Sequence, residues 1–114
     1  MGKLEEAEEK LKFADYLLQR EQNEFFAGAI KHILEAANKA VSIDLRLDGT
    51  NISHILVNKK LSAGSKEERE FSGSYLTLWK LATNPSPTYA EVQKALSRVK
   101  AFVAYVKGRP ATNP

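Results

Sequence analysis

Apolar side chains recur every three or four positions through five separate stretches of this chain. That spacing confines each stretch to a helix that hides one face from water. Over residues 3–20 the stripe is Leu4, Ala7, Leu11, Ala14 and Leu18. Over residues 24–46 it is Phe26, Ile30, Ile33, Ala37, Ala40 and Ile43 or Asp44, widened by Phe25, Ala29, Ala36 and Val41. A shorter helix beginning at Asn51 or Ser53 carries Ile55, Leu56 and Leu61. The fourth helix places Phe71, Tyr75, Leu78 and Ala82 on one stripe, with Ser72, Leu76 and Trp79 beside it. In the fifth, Val92, Val99 and Val106 sit seven apart, with Ala95, Leu96, Phe102 and Val103 between them. This predicts an all-α, up-and-down bundle of five helices forming one domain over 1–114, with an ordered core over about residues 4–107.

The breaks between stripes carry their own chemistry. Ser65-Lys66-Glu67-Glu68 and Thr88-Tyr89-Ala90-Glu91 both have capping-box spacing, in which a hydroxyl and a carboxylate three residues apart satisfy each other's backbone N–H groups. Asp48-Gly49 and Ser62-Ala63-Gly64 stop helices, and Asn84-Pro85-Ser86-Pro87 is a hard stop because proline removes a donor and restricts the residue before it. Glu5, Glu6, Glu8 and Glu9 crowd the start of the first helix, where the positive dipole end favours carboxylates. Glu6 with Lys10 and Glu8 with Lys12 are spaced as pairs along one helix face.

Composition removes whole classes of chemistry. There is no cysteine, so disulfides, thiolate nucleophiles and cysteine-bound metals are excluded. No apolar run approaches the length of a membrane span, so no membrane contact is expected. The N-terminus lacks the basic-then-apolar order of a signal peptide, and the expected location is the cytoplasm. Charge is uneven. Residues 1–50 carry seven Lys/Arg against ten Asp/Glu, a net −3, and residues 51–114 carry ten against four, a net +6. The halves can attract each other, within one molecule or across a dimer, and the basic half can attract a phosphate backbone.

Two stretches resemble the HEPN superfamily of small prokaryotic helical domains. One is the alanine-rich run from Asn23 through Phe25-Phe26-Ala27-Gly28-Ala29 to Ala36-Ala37-Asn38-Lys39-Ala40, followed by a loop and Ser53-His54. The other runs from Leu76 to Val106 and includes Ala95-Leu96-Ser97-Arg98-Val99 after a proline-bearing break. The resemblance implies a homodimer. It also implies a ribonuclease in many members, often a toxin paired with a nucleotidyltransferase-like antitoxin. Activity in those members depends on an Arg and a His with four to six residues between them. Here the only histidines are His32 and His54, and seven residues separate Arg46 from His54. The pattern points to a non-catalytic interaction module that binds a protein partner, or RNA or a nucleotide through its basic half. The alternative is a metal-independent ribonuclease using Arg46 and His54.

Each candidate site has a plainer reading beside it. Arg46 steadying a phosphate while His54 acts as general acid or base would cleave RNA. A lone histidine near a helix start more commonly has no such role. His32 and Glu35 are three apart on one helix, which echoes metal-binding bundles. Such sites need carboxylates from other helices, so no metal or cofactor is expected. Lys94, Arg98, Tyr105 and Arg109 share one flank of the last helix and form the candidate nucleic-acid or phosphate site. The plainer account of that flank is a solvated face complementing the acidic first helix. Tyr75 and Trp79 read as core or dimer seam. The wide apolar arcs of the second and fourth helices supply a physical motive for the dimer.

Overall fold

The computed structural model describes residues 2–20, 23–45 and 54–108. They form α1 (Gly2–Gln19), α2 (Asn23–Asp44), α3 (His54–Ser62), α4 (Lys66–Ala82) and α5 (Tyr89–Gly108), with no strand among them. Cross-helix bonds fix the directions. Glu6 and Lys10 of α1 meet Lys39 and Glu35 of α2 at 2.9 Å each, so these two run antiparallel. Glu8 and Asp15 meet Lys107 and Lys100, which makes α5 antiparallel to α1 as well. Phe71 stacks on Phe102, and Arg98 bonds Ser74, so α4 runs opposite to α5. The four long helices therefore alternate up and down, and α3 lies against α4.

One core unites all five helices. Ala7, Leu11, Ala14 and Leu18 are buried from α1, as are Phe26, Ala29, Ile30, Ile33, Ala36, Ala37, Ala40 and Val41 from α2. The expected arc of α2 is thus largely covered within the chain, whereas on α4 Leu76 stays 37% exposed and Ala82 is exposed as well. Phe71 and Phe102 stack with centroids 4.1 Å apart and planes 7° apart. Tyr75 is fully buried and donates its hydroxyl hydrogen to Asn38 Oδ1 at 2.6 Å, tying α4 to α2. Trp79 packs edge-on against it at 6.3 Å.

Both capping boxes form. The Ser65 N–H donates to Glu68 Oε1 at 2.7 Å, and the Glu68 N–H donates back to Ser65 Oγ at 3.2 Å. The Thr88 and Glu91 pair repeats this at 3.0 and 3.2 Å. Glu68 is a buried carboxylate, and a Cβ on Gly64 would collide with its carboxyl end, so a side chain there fits only by shifting Glu68 in its capping box.

The structure departs from the expected faces at two places. In α3, Val57 and Leu61 are the buried pair, while Ile55 is 70% exposed and Leu56 is 43% exposed. A nine-residue helix lying on one neighbour buries a single four-spaced pair, and Asn58 Nδ2, donating to the Ser72 carbonyl, fixes which one. In α4, Leu81 rather than Ala82 ends the buried stripe, although Ala82 stands almost directly above Phe71 at 100° per residue. The α1 carboxylates Glu6, Glu8 and Asp15 pair with lysines of α2 and α5, and Lys10 pairs with Glu35 of α2.

These assignments predict contrasting costs. Ile33→Ala should destabilise the fold by about 2–5 kcal/mol, whereas Ile55→Ala should stay within about 0.5 kcal/mol. Urea unfolding of the two variants measures the difference.

Candidate functional site

The polar faces of α4 and α5 enclose a cleft of about 550 Å³. Lys80, Lys94 and Arg98 line it together with Glu70, Ser74 and Glu91. On α4, residues 70, 74, 77 and 81 contribute at three- and four-residue steps, which is one helical face. Gly73 also lines the cleft, and an added Cβ there would meet nothing within 4 Å, so it keeps the groove open. Arg98 Nη1 donates to Ser74 Oγ at 3.1 Å. That bond holds the guanidinium across the groove, while the Ser74 hydroxyl keeps its own proton for an incoming acceptor.

Electrostatically the cleft is mixed, with a cationic excess. One Glu91 carboxylate oxygen accepts from the Thr88 N–H. Among the described residues Lys80, Lys94 and Arg98 form no ion pair, in contrast to Lys100 and Lys107, which α1 neutralises through Asp15 and Glu8. The basic half therefore splits in two: one flank of α5 is matched to the acidic first helix, and the other lines an open cleft where Lys80, Lys94 and Arg98 outnumber the carboxylates Glu70 and Glu91 by one. An anion entering the cleft would meet two flexible ammonium groups and one guanidinium already held in place.

Lys94 and Arg98 thus share a site, as their four-residue spacing predicts, but Tyr105 does not join them. It is half-buried at the other end of the helix pair, with its hydroxyl 3.0 Å from Ser65 Oγ and its ring against Phe102. Arg109 lies outside the described residues, as does Arg46. His54 opens α3, but its side chain is also outside the described set. Lys80 and Ser74 were missed from sequence because they sit between the apolar positions of α4. The signal that could have found them is the run Glu70, Gly73, Ser74, Thr77 and Lys80, which recurs at helical spacing on a flank of α4 away from Tyr75 and Leu78.

His32 and Glu35 come together without forming a metal centre. His32 Nδ1 lies 3.8 Å from Glu35 Oε1, beyond hydrogen-bond reach, and its ring meets Phe13 edge-on at 4.8 Å. Glu35 is instead bound to Lys10 at 2.9 Å. No group of three or more His, Asp and Glu among the described residues could hold a metal ion. No helix there is long and apolar enough to cross a membrane.

No family model, curated protein or solved structure matches the chain. The HEPN resemblance accordingly rests on the residue patterns alone.

The Lys10 hydrogen bond, against a smaller opposing effect of burial, holds the Glu35 carboxyl below its ordinary pKa. A lowered folded-state pKa contributes stability above the unfolded value and loses it as pH falls through the folded one. Lys10→Met should therefore move the Glu35 titration, followed by carboxyl-carbon NMR, up toward the ordinary range. It should also flatten the acid limb of the stability profile.

Proposed function

We propose that this chain is a non-catalytic, HEPN-like interaction module that binds RNA through its phosphate backbone in the α4–α5 groove. The observation carrying the reading is the convergence of Lys80, Lys94 and Arg98 on one open cleft with no ion pair among the described residues, while the neighbouring lysines of α5 are paired to α1. Cations left unpaired beside a hydroxyl suit phosphate oxygens, which accept several charge-assisted bonds at once. The cleft offers no aromatic platform, since Tyr105 is turned toward Ser65 and Phe102. Binding of this kind is weak in base discrimination and strong in salt dependence. The reading assigns no chemical step to Arg46 and His54. A homodimer, as the resemblance implies, would double the number of grooves and raise avidity on a long strand.

Filter binding of a single-stranded RNA oligonucleotide at rising salt tests the proposal. Affinity should fall linearly on a log–log plot. Lys94→Glu with Arg98→Glu should weaken binding by at least about tenfold and shallow the slope. Lys107→Glu, on the flank already paired to Glu8, should do much less. Affinity indifferent to salt, or equal loss from both flanks, would overturn the assignment.

A further inference from the structure

Helix α1 uses three of its four sides inside the molecule. Ala7, Leu11, Ala14 and Leu18 face the core. Glu6 and Lys10 reach α2, while Glu8 and Asp15 reach α5. The fourth side carries Glu9, Phe13 and Tyr16, which fall within about 60° of one another at 100° per residue, and Arg20 follows in the turn just past its end. Phe13 is 47% exposed and Tyr16 is 55% exposed, and they stack on each other at 6.1 Å. Arg20 lies over Tyr16 and over Phe25 at 5.7 and 5.3 Å, and it donates to the Tyr16 hydroxyl. Neither Glu9 nor Arg20 forms an ion pair among the described residues. The surface therefore reads acid, two aromatic rings, base along its length.

That order is self-complementary under one operation only. Positions 9 and 20 share their midpoint, 14.5, with positions 13 and 16. A two-fold axis across that midpoint, with the two helices antiparallel, sets Glu9 against the second copy's Arg20 at both ends. The same axis sets Phe13 against the second copy's Tyr16 at the centre. A parallel pairing would instead bring like charges together. From this symmetry of charge and ring we infer that the outer face of α1 is an isologous docking surface for a second copy of this chain. The inference is independent of the groove reading, since α1 contributes nothing to the α4–α5 cleft. One helix of 18 residues makes a contact at the small end of specific interfaces, so the dimer should dissociate at about 10–100 µM.

Charge exchange in the full chain, read by sedimentation equilibrium, tests this. Glu9→Lys and Arg20→Glu should each weaken self-association by at least about tenfold, because the symmetry repeats every lost pair and every new repulsion. An equimolar mixture of the two variants restores both opposite-charge pairs and should associate as the parent does, as should the double variant. Both residues are exposed, so circular dichroism should show an unchanged helical spectrum. Phe13→Ser with Tyr16→Ser should abolish association without touching charge. A monomer at about 0.5 mM would overturn the inference. So would a mixture no tighter than either variant alone, or a dimer that survives loss of the two rings.

Discussion

Helix α2 is the post against which the other long helices stand, and its fit depends on small side chains. Ala29, Ala36, Ala37 and Ala40 are fully buried, and they let neighbouring backbones approach closely while Phe26, Ile30, Ile33 and Val41 fill the remaining volume. Because α1, α4 and α5 all contact it, a bulky substitution on this arc would disturb three interfaces together. Tyr75 adds one directional contact to an otherwise non-directional core. Burial raises its hydroxyl pKa, and its bond to Asn38 keeps both polar atoms satisfied at the α2–α4 seam.

Charge then decides how the bundle presents itself. The acidic first helix is bracketed by Lys39 of α2 on one side and by Lys100 and Lys107 of α5 on the other. Exposed ion pairs of this kind contribute little stability each. Their larger consequence is to select which cations stay available. Lys100 and Lys107 are matched, whereas Lys80, Lys94 and Arg98 meet across the opposite groove. The same bracketing turns the aromatic stripe of α1 outward, so the proposed RNA-binding and self-docking surfaces stand on different helices.

Much of this could be read along the chain. The apolar spacing, the two Ser/Thr–Glu boxes, and the proline and glycine stops are local, and α1, α4 and α5 begin and end within about two residues of where those signals put them. The pairing of Lys94 with Arg98 was equally local, since four residues is one helical turn. Tyr105 shares that helical flank, but Phe102 and Ser65 draw it toward the other end of α4, and periodicity along α5 has no means of registering a neighbour so distant in the chain. Ile55 and Leu56 are left exposed for the same reason, because only the placement of α3 on α4 selects Val57 and Leu61 as its inward pair.

The amino-acid order by itself thus determined the number and capping of the helices and the sidedness of the four long ones. All of these depend on hydrogen bonds and side-chain spacing within one turn or two. The tertiary structure alone decided which lysines are neutralised, which cations share a cleft, and which aromatic face is left to solvent. Those outcomes depend on distances between groups as many as 99 residues apart, as with Lys107 and Glu8. Such distances exist only once the rods have been stacked.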